Sequence, residues 1–180
     1  MRSTIGIGIA ASPDLVFGLA RDIERWPRLL PHYVDVRALE RRADGSLVAR
    51  LVARRTLVPL LGLGMPVAWR ARSWSVPDTR QLRFVHLGGA TNGMDVTWRI
   101  EPAAGGCHVS IEHDFRPRLA VWAPLVDRLF TRPIAGRTLA TFKALAEAVT
   151  EAAAGDYDRG AESAPIADTS NSPEPANQRA

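Results

Sequence analysis

Few residues in this chain can exchange a proton near neutral pH. Across 180 residues there are four histidines, His32, His86, His108 and His113, and one cysteine, Cys107. Their spacing excludes the common catalytic templates. No His-Glu-x-x-His pair occurs, and although His108 and His113 flank Glu112, alternation along a strand sends the two imidazoles to opposite faces. No metal or other cofactor is expected. Cys107 follows a Gly-Gly turn with no base beside it to activate the thiol, and it has no second cysteine for an intrachain disulfide. There is no Gly-x-Ser-x-Gly elbow and no Walker loop, and Gly62-Leu63-Gly64 lacks the strand-to-helix setting of a dinucleotide fingerprint. What remains is acid–base or positioning work by isolated polar residues among apolar ones.

Strand alternation says which residues share a face. Over Val67 to Val76, Arg70 and Arg72 belong in water, which turns Trp69, Ala71, Ser73 and Ser75 inward. With Arg83 outside, Leu82, Phe84 and His86 face in. With Asp95, Thr97 and Arg99 outside, Met94, Val96, Trp98 and Ile100 face in. Glu112 and Asp114 on the outer face leave Val109, Ile111, His113 and Phe115 inside. The inner face therefore reads as an apolar, aromatic-lined pocket, with Trp26, Tyr33, Trp69, Phe84, Met94 and Trp98 as walls and Ser73, Ser75, His86 and His113 as polar fixtures. A few polar groups in a greasy cleft orient a ligand while burial supplies affinity. The competing reading is that these aromatic residues and the methionine fill a solid core and that each histidine is silently hydrogen-bonded.

The elements that must hold these residues follow from periodicity. Ile5, Ile7 and Ile9 alternate as a strand over 4–10, and Ser12-Pro13-Asp14 caps a short helix carrying Leu15, Val16 and Leu19. A second short helix spans 23–30, interrupted by Pro27. Six strands follow over 33–42, 47–55, 67–76, 81–87, 94–101 and 107–115, and Asp44-Gly45 marks the first hairpin between them. From 119 to 153 the period becomes helical, with Leu125, Leu129, Leu139, Phe142, Leu145, Ala146 and Val149 on one stripe that must lie across the sheet. The expected division is a single domain over 1–153 and a disordered acidic tail of Pro, Ser and Ala over 154–180.

Hydrophobic residues make up 46% and charged residues 23%, which fits one soluble globular body. Residues 1–150 carry 21 basic and 13 acidic side chains against 2 and 6 in 151–180, so a positive body precedes a negative tail. The basic residues are almost all arginine and are scattered, with no interleaved aromatic module, so no nucleic-acid partner is expected. The N-terminus has no long apolar stretch of a leader, and a cytoplasmic address is expected.

The order β-α-α-β6-α, together with Ile23-Glu24-Arg25-Trp26-Pro27 followed by Tyr33, resembles the START-like superfamily in its polyketide cyclase and coenzyme Q-binding branch. Val76-Pro77-Asp78 at the end of the Trp69 strand, and Met94 to Trp98 before a Gly-Gly turn, are similar to aromatic polyketide aromatase/cyclases. The resemblance covers roughly 3–150. It implies an α+β helix-grip fold, a curved antiparallel sheet wrapped around a long C-terminal helix, with a cavity for a lipid, quinone, sterol or polyketide. It also implies an inward arginine before Val-Pro-Asp, where this chain has Ser75, and His86 in place of a second arginine. Two functions stay open. One is a carrier of a hydrophobic small molecule. The other is a cyclase/dehydrase in which His86, Tyr33 and Ser73 perform proton transfer and positioning. A closed-cavity interaction protein of the same superfamily is a third. The apolar run Leu57 to Pro66 is a candidate contact for a membrane surface or an acyl carrier protein, or it extends the flanking strands.

Overall fold

A computed structural model of the chain describes residues 2–58, 63–116 and 126–162. Seven strands form one antiparallel sheet in the order β1-β7-β6-β5-β4-β3-β2. They are β1 (Arg2–Ile9), β2 (Tyr33–Arg41), β3 (Leu47–Val58), β4 (Leu63–Val76), β5 (Gln81–His86), β6 (Asp95–Ala103) and β7 (Gly106–Asp114). The meander β2 to β7 is closed by β1, which returns to pair with the last strand, Ile5 opposite Ile111. Two short helices, α1 (Pro13–Arg21) and α2 (Trp26–Leu29), bridge β1 to β2, and α3 (Arg132–Glu162) crosses the concave face. This is the expected helix-grip α+β arrangement.

Local chemistry explains the boundaries. Ser12 Oγ accepts the Leu15 N–H at 3.2 Å and Pro13 opens α1, whose Val16, Phe17 and Ala20 turn into the core. Pro27 falls at the start of α2, where its missing N–H costs nothing, and a single 3-10 turn over Ile23–Arg25 separates the two helices. Gly45, at φ +79°, makes the tight β2–β3 turn. The strands β3 and β4 run past the expected ends, to Val58 and from Leu63, so the described part of the Leu57–Pro66 run extends the flanking strands; residues 59–62 lie outside the described residues.

The last helix departs from expectation at both ends. Residues 119–125 lie outside the described residues. A single π turn over Asp127–Thr131 precedes α3, with the Arg132 N–H reaching back five residues to the Asp127 carbonyl. At the other end α3 continues to Glu162, so the stretch 154–162 expected as disordered tail is helical. Ala152, Ala153 and Ala154 supply strong helix propensity, which one glycine every few residues, at about 1 kcal/mol each, does not cancel. Residues 163–180 lie outside the described residues.

The helix is tied to the sheet by apolar packing and by polar bonds at the β1 edge. Leu139, Phe142 and Ala146 are buried against the concave face. Lys143 Nζ donates to the Gly8 carbonyl at 3.0 Å, and Glu147 accepts the Ala10 N–H at 2.8 Å. These bonds satisfy backbone groups of β1 and of the turn after it that the sheet leaves free. Trp26 sits in the middle of the core, its Nε1 donating to the Ala20 carbonyl at 3.0 Å. Among the described residues, no helix is long and apolar enough to cross a membrane.

Candidate ligand cavity

Between the sheet and α3 lies a cavity of about 180 Å³. By the measure in which one water needs about 10–15 Å³, it would hold on the order of ten waters, far more than a packing defect. Its aromatic wall is a connected cluster. Trp26 meets Tyr33 edge-on at 5.0 Å, Trp98 at 5.4 Å and Phe84 at 5.9 Å between ring centroids. Tyr33 in turn lies 6.1 Å from Trp69. Met94, Val96, Leu51 and Ile111 complete the sheet side, while Val126, Thr131, Ile134, Ala135 and Thr138 form the helix side. The cavity reaches the surface near Ala68 and Gly89, both exposed residues that line it.

Both inward histidines lie on this wall. The His86 ring stacks on Trp69 at 5.9 Å with 22° between planes, and its Nδ1 is hydrogen-bonded to Thr91 Oγ1 at 2.8 Å. Burial pushes its pKa down to about 4, assisted by His113. His113 is also lowered to about 4 by burial, with the Asp127 carboxylate pulling the other way and Arg132 reinforcing the shift. Both imidazoles are therefore neutral at pH 7 and can donate or accept a hydrogen bond without carrying charge into the cavity. Burial raises the Tyr33 phenol, with a hydrogen bond to Thr138 in partial opposition, so it remains a hydrogen-bond donor across the physiological range.

Trp26, Tyr33, Trp69, Phe84, His86, Met94, Trp98 and His113 thus share one cavity, as strand phase and the aromatic pattern imply. Ser73 and Ser75 do not line it. Ser73 faces inward and is buried, but its hydroxyl donates to the Leu47 carbonyl at 3.3 Å, within the sheet. Ser75, two residues further along, is exposed. Alternation fixes the face a residue occupies, not what stands over it, and the helix leaves this end of β4 uncovered. Ser73 therefore stands outside the cavity lining.

Thr91, Thr131 and Thr138 on the cavity wall, and His32 behind it, escaped the sequence reading. Thr138 lines the cavity, donates to the Ile134 carbonyl at 2.8 Å, and is bonded to His32 Nε2 at 2.8 Å behind the wall. The Thr138 hydroxyl thus links the α3 backbone to the His32 ring. The signal for Thr138 was present in the sequence. Thr131, Ala135, Thr138 and Phe142 recur at helical steps and place small polar residues on an otherwise apolar stripe. His32, at a loop end after Pro31, gave no such signal.

Residues 9–142 match the family described as polyketide cyclase / dehydrase and lipid transport. The chain belongs to this family. Among solved structures it is similar to the Zhui aromatase/cyclase from Streptomyces sp. R1128, with a TM-score of 0.67 and 19% identity over 82% of this chain and 93% of that one. It is also similar to the di-domain aromatase/cyclase BexL of the BE-7585A biosynthetic pathway, with a TM-score of 0.65 and 25% identity, covering 83% of this chain and 47% of that one. A START superfamily protein from Mycobacterium smegmatis aligns with a TM-score of 0.60 and 18% identity over 83% and 97% of the two chains. The fold is thus shared at low sequence identity.

Proposed function

We propose that the protein binds a hydrophobic small molecule, a lipid, quinone or polycyclic polyketide, in the cavity between the sheet and α3. One observation carries this reading: among the described residues that line the cavity, none is Asp, Glu, Lys or Arg, while aliphatic and aromatic side chains together make up most of the wall. Such a wall rewards burial of apolar surface and gives little help to a developing charge. The purified protein is expected to release an apolar molecule in native mass spectrometry, and to bind naphthalene in equilibrium dialysis. Absence of both would end the proposal. His86→Ala should leave naphthalene affinity within a few fold.

A second reading, cyclisation with loss of water, is favoured by the neutral His86 and His113 on one wall. In that case His86 takes a proton from a carbon beside a carbonyl, the carbanion closes on a second carbonyl to form the carbon–carbon bond, and the proton passes to the resulting alkoxide; His86 then takes a second proton from the same carbon and delivers it to the hydroxyl, which leaves as water as the carbon–carbon double bond forms. Tyr33 polarises the carbonyl under attack. With a poly-β-ketone thioester as substrate, His86→Ala would then abolish turnover while binding survives.

A further inference from the structure

The outer face of the sheet, turned away from the cavity, is charged unevenly. Arg37 on β2 stands directly opposite Arg50 on β3, and Arg50 opposite Arg70 on β4. Their strand neighbours Val36, Leu51 and Ala71 pack into the core, so the three arginines point outward, and all three are exposed. At the spacing of strands in a sheet the row spans about 10 Å. Like charges set directly opposite one another repel. Of the three, Arg50 alone meets a carboxylate among the described residues, Asp35 at 3.6 Å. On the other half of the same face, Arg99 meets Glu112 and Arg2 meets Asp114, each at 3.2 Å. The row is thus a concentration of positive charge that the chain neutralises elsewhere but not here.

The row ends beside the cavity mouth. Arg70 Nη2 lies 3.4 Å from where a Gly88 Cβ would stand, and Gly88 lines the cavity next to the exposed Gly89. Arg54, also exposed, stands opposite Pro66. Along β4, residues 63–69 carry no charge, and Gly64, Met65, Pro66 and Ala68 among them are exposed. We propose that the outer face of β2 to β4, centred on Arg37, Arg50 and Arg70, docks on an anionic phospholipid surface. Guanidinium groups fork onto phosphate oxygens, and an exposed apolar stretch enters the boundary beneath the headgroups. Charge alone would suit an acidic protein equally; the uncharged exposed stretch beside the arginines favours lipid. The docking needs no ligand in the cavity, so it stands or falls apart from the ligand-binding reading.

Co-sedimentation of the full chain with vesicles of phosphatidylcholine, alone or with about 30% phosphatidylglycerol, tests the docking. Binding to the anionic vesicles should exceed binding to phosphatidylcholine by about tenfold or more and fall sharply in about 0.5 M sodium chloride. The triple variant Arg37→Gln, Arg50→Gln, Arg70→Gln should lower it about tenfold. The variant Arg21→Gln, Arg25→Gln, Arg28→Gln removes the same charge from the helical segments between β1 and β2 and should change it less than about threefold. Glutamines relieve repulsion within the row, so the urea midpoint of the row variant should match or exceed that of the unaltered chain. Should that variant fail to fold, Arg70→Gln alone, with an expected loss of about threefold, keeps the test decisive. Equal binding to both vesicles, binding to neither, or equal losses in the two triple variants overturns the proposal. Binding of poly-glutamate without binding of vesicles assigns the row to an acidic protein and overturns it as well. Naphthalene dialysis on the same samples scores the cavity separately.

Discussion

At the scale of single residues, the tryptophans of the wall divide the labour. Trp26 is wholly buried, contacts Tyr33, Phe84, Trp98 and Phe142 through its ring, and anchors α2 through its bond to Ala20. Trp69 is half-buried and, among the described rings, touches Tyr33 and His86. Trp26→Ala is therefore expected to cost about 3–5 kcal/mol in urea unfolding, as large aromatic deletions in cores do. Trp69→Ala should cost far less stability yet weaken 2-naphthol binding about tenfold, the loss of one stacking wall. Dialysis and denaturation on the same two variants check this, and the reverse pattern would contradict it. The serines carry the opposite lesson. Ser73 and Ser75 sit on the predicted strand, and Ser73 faces the predicted side, but neither lines the cavity, and the Ser73 hydroxyl donates to the Leu47 carbonyl within the sheet.

At the scale of elements, one close approach fixes how the sheet closes. Gly106 opens β7 at φ +154°, and a Cβ there would stand 2.1 Å from the Ile9 carbonyl oxygen and 2.9 Å from the Ala11 nitrogen. No side chain fits without separating β1 from β7. Gly106→Ala should destabilise the protein by about 3 kcal/mol or more, combining backbone strain with overpacking; a loss under about 1 kcal/mol in chemical denaturation would show that the junction yields. Much of this framework was legible beforehand. Alternation in 94–101 and 107–115 sorted Val96, Trp98, Ile111 and His113 inward because a two-residue period admits only two faces. The capping Ser12-Pro13 and the Asp44-Gly45 turn announced themselves by residue type. What stayed hidden was the contact of His32 with Thr138, distant in sequence, and the continuation of α3 past residue 153. Neither leaves a periodic trace.

At the scale of the whole molecule, three buried histidines make stability depend on pH. His32, His86 and His113 each fall from an ordinary 6.5 to about 4, chiefly through burial. Since the folded-state values lie below the unfolded ones, the unfolded chain takes up protons first as pH drops below about 6.5, and stability is lost progressively down to about 4. With all three titrating the slope could reach at most about 4 kcal/mol per pH unit. Around them stand Arg137 beside His32 and the Asp127–Arg132 pair beside His113, while His86 faces His113. The urea midpoint should be level from pH 7.5 to 6.5 and then fall by pH 5, and His86→Gln should flatten part of that fall; a level midpoint throughout would refute it. The wall at Gly88 and Gly89 sets a different property. Both residues sit at positive φ, and the segment is pinned by a bond from the Gly88 N–H to Asn92 Oδ1 at 2.6 Å. On the proposed ligand-binding reading, a molecule entering beside these glycines meets backbone there, whereas the Trp26–Trp98 contact lies in the buried wall, so the rate of entry and the affinity are expected to depend on separate parts of the molecule.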